Sequence, residues 1–259
     1  MGRRSMMHTR HPKPADIPSL RALWKEAFGD SDAFLDSFFG CAFSPKRSIC
    51  MEENGDITAA LYWFDCSWNG MRIAYLYAVA VAEQHRGRGF CRRLIADTHA
   101  HLSTAGYAGT ILVPGSASLF ELYARLGYRL SSSVDQFHCK AANSGIPLRR
   151  IVADDYAALR LFYLPEGSVI HEAENLHFLA AESELYTGED FLLAVHRESG
   201  VLIADEFLGN RLSAPHILHV LGCPRGVFRT VGTQNPFAMY FSLREDITAM
   251  PRYFGIAFN

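Results

Sequence analysis

Residues 72–81 (RIAYLYAVAV) form an apolar run broken only at its first position, and it stops at the glycine-rich stretch Glu83-Gln84-His85-Arg86-Gly87-Arg88-Gly89. A run of that length and composition predicts a strand covered on both faces, which places it at the centre of a sheet. Directly after the glycines, residues 91–102 place Leu94, Ile95, Thr98 and Leu102 on one helical face. A second short apolar run, GTILV at 109–113, follows. Strand, tight turn, helix, strand is a crossover unit, and such units pair their strands in parallel. The chain therefore reads as α/β, an α+β sandwich with a mixed sheet and helices on both faces.

The flanking pattern agrees. Asp16 is placed to cap a helix carrying Leu20, Leu23, Trp24, Ala27 and Phe28, with Gly29 ending it. Ser31 or Asp32 begins a second helix with Phe34, Leu35, Phe38 and Phe39. Asn54-Gly55 and Asn69-Gly70 are hairpin turns between strands at 47–52, 57–65 and 72–81. Beyond 109–113, Pro114-Gly115-Ser116 turns into a helix over 118–126, which stops at Gly127 before a strand opening at Tyr128.

Asn143-Ser144-Gly145-Ile146-Pro147 marks a boundary, giving parts 1–142 and 143–259. After it the order of elements restarts. Helices are expected at 154–162 and 171–183, a hairpin at 191–207 around Glu198-Ser199-Gly200, a helix at 213–221, and strands at 227–233 and 237–243. In this second part Gly209-Asn210-Arg211 follows the apolar strand, with no counterpart of the glycine loop. The later aromatics Phe237, Tyr240, Phe241, Tyr253, Phe254 and Phe258 read chiefly as core.

With 49% hydrophobic residues, a net charge of −2 and pI near 6.6, the chain has a real core. It has no overall pull towards nucleic acid or anionic lipid, so neither is expected as a partner. The six cysteines (Cys41, Cys50, Cys66, Cys91, Cys139, Cys223) form no CxxC pair and read as small core residues in a reducing compartment. No apolar stretch has transmembrane length, and Arg3 and Arg4 lead into polar sequence rather than a signal peptide, so a cytoplasmic location is expected. His216 and His219 share a helix face while His99 and His101 do not, and none has a matching acidic or cysteine partner; no metal is expected.

The glycine loop carries the chemistry. Helix N-terminal N–H groups and the helix dipole converge there, glycines let an anion reach the main chain, and Arg86 and Arg88 add positive charge. That is a diphosphate cradle, although two glycines can also serve only to pack a turn. Gly-Lys-Ser/Thr is missing, which argues against a P-loop. The loop does not follow the first strand of the chain and lacks GxGxxG, which argues against a dinucleotide fold.

Two motifs in order, Arg86-Gly87-Arg88-Gly89-Phe90-Cys91 and Tyr123-Ala-Arg-Leu-Gly127-Tyr128, resemble the signatures of the GCN5-related N-acetyltransferase (GNAT) superfamily. The resemblance spans about residues 8–140. The close of the chain, NPFAMYFSL then YFGIAFN, is similar to a subgroup in which a second, degenerate GNAT-like half follows the first. Three positions depart from the pattern: Cys91 for a smaller residue, Glu83 for a common proline, and Ser116 for a frequent asparagine.

The resemblance implies acetyl-CoA, or a related acyl-CoA, as co-substrate and an amine on a small molecule or peptide as acceptor. It implies that the pantetheine arm pairs with the main chain of Val79, Ala80 and Val81. The pyrophosphate would lie on Arg86, Gly87, Arg88, Gly89, Phe90 and Cys91, and Tyr123 would protonate the departing thiolate. A phenol, with an ordinary pKa near 10, holds its proton at neutral pH; the same tyrosine also fits as a plain core aromatic. Strand 72–81 offers no base, and Asp65, Glu83, His85 and Glu121 remain candidates alongside water. The missing base leaves a silent acyl-CoA sensor or an interaction protein as alternatives. A covalent role for Cys91 conflicts with pyrophosphate occupying its helix N-terminus.

Overall fold

The computed structural model describes residues 7–258; Arg3 and Arg4, on which the absence of a leader was argued, lie outside them. In chain order the strands are β1 (Met7–Arg10), β2 (Ser48–Glu53), β3 (Asp56–Trp68), β4 (Met71–Val81), β5 (Gly109–Leu112), β6 (Arg129–Lys140), β7 (Arg149–Arg150), β8 (Ile170–His171), β9 (Glu184–Thr187), β10 (Phe191–Glu198), β11 (Val201–Gly209), β12 (Arg225–Val231) and β13 (Asn235–Ser242). The helices are α1 (Ile17–Phe28), α2 (Asp32–Ser37), α3 (Phe90–Thr104), α4 (Ala117–Arg125), α5 (Ala153–Tyr163), α6 (Ala173–Glu182) and α7 (Ala214–Val220).

Contacts group the chain into two compact units. Of the described residues, one comprises 7–66, 71–112 and 241–248; the other comprises 67–70, 113–240 and 249–258. In the first, the strand order is β1-β2-β3-β4-β5. Neighbours β1 and β2, and β2 and β3, are antiparallel, whereas β4 and β5 run parallel, as the crossover through α3 requires. Asn54-Gly55 and Asn69-Gly70 all have positive φ (57°, 98°, 49° and 72°), the backbone that two-residue hairpins demand. One face of this sheet meets α1 and α2 in an aromatic cluster. Trp24 lies 4.7 Å from Phe38, 5.2 Å from Tyr62 and 5.6 Å from Tyr77, ring centre to ring centre.

In the second unit the order is β13-β6-β12-β11-β10-β9-β7. Here too a hairpin (β10, β11) is followed by a helix (α7) and a parallel partner (β12). α7 packs on Leu193, Val195, Leu202, Ala204 and Phe228. The opposite face holds a buried ion pair. Arg160 of α5 donates from Nε (2.7 Å) and Nη2 (2.9 Å) to Glu206, which also accepts from Tyr156 (2.8 Å) and Tyr253 (2.9 Å). Arg160 Nη2 reaches the Phe254 carbonyl at 3.1 Å as well, so the network ties the segment around 253–255 to the sheet. A Cβ on Gly255 would stand 2.2 Å from the Glu206 carboxylate.

Three sequence expectations need correction. Asp16 precedes α1 without capping it, because its carboxylate is taken by Arg10 (2.6 Å) and by the Lys13 N–H (2.6 Å). The stretch read as merely polar before Pro14 includes β1, held to β2 with help from an Arg10–Glu52 pair. Cys41 is exposed rather than core, since it sits on the π-helical turn Phe38–Ala42 that extends α2.

Candidate active site

β4 and β5 are paired only from Ile73↔Gly109 to Tyr75↔Ile111. The β5 strand ends one residue later, at Leu112, while β4 continues six residues past Tyr75, to Val81. Part-way along that extension Ala78 has φ of +47°, a left-handed conformation that costs a non-glycine residue of order 1–2 kcal/mol. The kink shifts the alternation of the strand just before Val79, Ala80 and Val81, the three residues expected to pair with a ligand. Val79 and Val81 are half-buried, and Ala80 is buried. Sequence reasoning missed Ala78, because alanine carries no signal for positive φ.

The loop follows. Ala82 N–H bonds to Thr58 O (2.9 Å), and a 3-10 turn over Glu83–His85 closes with Arg86 N–H on Glu83 O (3.1 Å). Gly87 and Gly89 have φ of +72° and +82°, and nothing lies within 4 Å of where a Cβ on either would stand. These glycines therefore do not pack the turn; they leave open space above the main chain. The first full bond of α3 runs from Arg93 N–H to Gly89 O (3.0 Å), so the N–H groups of Phe90, Cys91 and Arg92 precede the helical ladder. Such N–H groups, with the helix dipole behind them, suit an anion.

The loop's side chains are anchored. Arg86 Nε donates to Val81 O (3.1 Å), linking the cradle to the end of β4. Arg88 lies 5.2 Å from the Phe90 ring and 3.1 Å from His85 Nδ1, and the His85 ring lies tilted against Phe90 at 4.9 Å. Phe90 is buried, so only its main chain is available to a ligand. Burial pushes the Cys91 thiol up to about 11, keeping it protonated and a poor nucleophile at neutral pH.

The expected base candidates separate. Asp65 pairs with Arg72 (2.8 Å) and accepts from Tyr107 (2.5 Å), and its partner Arg72 lies seven residues before Val79 on β4. Its carboxylate is already engaged by both partners, which argues against it as the base. His85 is committed to Arg88 and lies 3.4 Å from Glu53. The main-chain N–H of Glu83 is bound by the carboxylate of Glu26 at 2.5 Å, an α1 residue that the sequence did not single out. Glu121 is an exposed residue of α4.

Tyr123, in the second unit, is buried on α4, 5.7 Å from the Tyr128 ring at 67°. Gly127 has φ of +93°, Tyr128 N–H bonds to Tyr123 O (3.0 Å), and Gly127 N–H bonds to Ala124 O (3.0 Å). This is a Schellman stop, with ring contact between its C3 and C″ residues. The motif Tyr123…Gly127-Tyr128 therefore has a structural origin. Ser116 caps α4 by accepting from Leu119 N–H at 3.4 Å. His216 and His219 donate from Nδ1 to the carbonyls of Ser144 (2.9 Å) and Ala142 (3.0 Å), clasping the linker. Among the described residues no group of three or more His, Cys, Asp or Glu is arranged to hold a metal, and no helix is long and apolar enough to cross a membrane.

Beside this geometry, the sequence of residues 8–131 matches a known family, that of the acetyltransferase (GNAT) domain. Those residues are a GNAT domain. The GNAT likeness extends further as fold. A GCN5-related N-acetyltransferase from Kribbella flavida superposes with a TM-score of 0.70 at 18% identity, covering 91% of this chain and 71% of its own. A probable N-acyltransferase from Enterococcus faecalis V583 gives 0.69 at 13%, covering 93% and 73%. A putative acetyltransferase from Pyrococcus horikoshii gives 0.63 at 14%, covering 97% and 94%. No curated protein sequence matches the chain. The likeness of fold thus runs over nearly the whole chain, whereas the sequence match ends within β6.

Proposed function

We propose that this protein transfers an acetyl group from acetyl-CoA, or a related acyl-CoA, to a primary amine on a small molecule or peptide. The observation that carries the reading is the cradle: Gly87 and Gly89 in left-handed conformation with open space above them, at the N-terminus of α3. The groups present fit a pyrophosphate. Main-chain N–H groups of Gly87–Cys91 would hold it, Arg86 and Arg88 would add charge, and Cys91 is small enough to stay clear.

Where β4 runs past β5, the main chain of Val79, Ala80 and Val81 would bind the pantetheine amides as an added strand. A main-chain N–H there would polarise the thioester carbonyl. The amine attacks that carbonyl, the C–N bond forms as the C–S bond breaks, and the thiolate takes a proton from Tyr123. No carboxylate or imidazole is assigned as base; the amine enters neutral or loses its proton to water. In sequence, 1–142 would be the acyl-CoA-binding catalytic part and 143–259 a degenerate GNAT-like part without the pyrophosphate loop.

That division rests on the second crossover. Gly209, with φ of +110°, leads through Arg211–Ser213 to α7, and the side chains at this turn are tied to Asp190. The Asp190 carboxylate accepts from Asn210 Nδ2 (2.7 Å) and Ser213 Oγ (2.9 Å). Calorimetry with acetyl-CoA tests the cradle, and thiol release over a panel of amines tests the transfer. Absence of acyl-CoA binding would overturn the reading.

A further inference from the structure

The second unit carries a cationic surface that acyl transfer does not use. Register defines it. His196 of β10 stands opposite Ile203 of β11, Ile203 beside Val227 of β12, and Val227 opposite His138 of β6. These four form one straight row across four strands. Leu202, Ala204 and Phe228 point into the α7 core, so by the alternation of strands this row lies on the other face.

The row is bracketed by cations. Arg225 and Arg229 sit two residues either side of Val227, each about 6.7 Å along the strand. Arg225 is directly opposite Lys140, and like charges so placed in an antiparallel pair are destabilising. Among the described residues none of Arg225, Arg229 and Lys140 forms an ion pair with an acid. Arg229 lies over the Phe237 ring at 5.0 Å, and one of its terminal nitrogens is buried without a partner. His196 is fixed by Asp205 (2.9 Å), which Ser183 also holds (2.8 Å); that bond raises the pKa of His196 and favours its cationic form. The acids on this face are Asp205, already engaged, and Glu198, opposite Val201 at its margin. Ile203 and Val227 are half-buried between exposed Arg225, Lys140 and His138.

An aliphatic floor ringed by uncompensated cations calls for an anion with a compact apolar body. We propose that this face binds a small organic phosphate, its oxygens held by Arg225, Arg229 and the imidazole of His138, its body lying on Ile203 and Val227. Arginine forks suit phosphate oxygens, and an occupant would neutralise the Arg225–Lys140 repulsion.

The probe is phenyl phosphate, followed through the ring proton resonances of His138 and His196, which report this face and not the acyl-CoA cradle. Saturable shifts of both, weakened at least about ten-fold in Arg225→Met/Arg229→Met, are expected. The resonance of His171, a buried ring of the same unit, verifies that the variant stays folded. No saturable shift up to about 20 mM, or unchanged binding in the variant, overturns the proposal. Benzoate binding more tightly than phenyl phosphate would overturn the choice of phosphate.

Discussion

The main-chain N–H of Tyr128 bonds to the carbonyl of Tyr123 at 3.0 Å while the two rings meet at 5.7 Å, so the proposed acid is held by the stop signal of its own helix. Removing the hydroxyl should leave that arrangement intact. Tyr123→Phe is expected to keep its melting temperature and its acetyl-CoA affinity, and to lose turnover by about 100-fold. Thiol release beside calorimetry checks this, and full activity would return Tyr123 to the role of packed ring. Gly127→Ala, at φ of +93°, is expected to do the reverse: a loss of about 1 kcal/mol in stability, a few degrees in Tm, with turnover affected only indirectly.

Gly89→Val tests the cradle. A Cβ there meets nothing within 4 Å, so the folding cost comes from its φ of +82° and should stay near 1–2 kcal/mol. Acetyl-CoA affinity is expected to fall at least about ten-fold, because the side chain occupies the space an anion would enter. Undiminished binding by calorimetry would count against the cradle.

Ala78 carries the kink of β4. Ala78→Gly is expected to cost nothing or to stabilise slightly, whereas Ala78→Val, β-branched at φ of +47°, should cost about 2 kcal/mol and depress acyl-CoA binding. Denaturant melts of the two variants give the ordering directly.

His99 sets an acid limit. It lies under β5, 3.2 Å from Thr110 and stacked at 4.3 Å on Phe241, and burial lowers its pKa to about 4. The folded protein therefore binds this proton less readily than the unfolded chain, whose histidine titrates near 6.5. The stabilisation is complete above pH 6.5 and is lost as the pH falls towards 4, amounting to about 3 kcal/mol. His171, also held neutral by burial, adds to the loss in the same direction. His99→Asn should flatten the slope of Tm against pH in that window; an unchanged slope would refute the assignment.

Glu206 and Arg160 test the buried network. Glu206→Gln is expected to cost about 3–5 kcal/mol, since Arg160 is left as an uncompensated buried charge. Pairing it with Arg160→Met should recover part of that loss. A double-mutant cycle measured by urea melts gives the coupling.

Much of this was legible in the residues because the decisive signals were local. Asn-Gly pairs fixed two hairpins, and Gly29 and Gly127 fixed helix ends. The switch from period 2 to period 3.6 around Gly87 and Gly89 fixed the crossover. What escaped depends on partners remote in sequence. β1 has no alternation of its own and exists through pairing with β2, more than 40 residues away. Asp16 looked like a cap until Arg10 claimed it. The kink at Ala78 falls on a residue that gives no hint of it, and Asp65 could be set aside only once its contacts with Arg72 and Tyr107 were seen.

Asp190 has a consequence beyond its own hydrogen bonds. Both crossovers bring a helix start to the end of an apolar strand, and each such start attracts negative charge. In one, the Asp190 carboxylate ties down the side chains of Asn210 and Ser213 beside the turn; in the other, the proposed pyrophosphate would bring the charge. On that reading, one turn geometry serves as an internal fastening in one half and as a port for a ligand in the other.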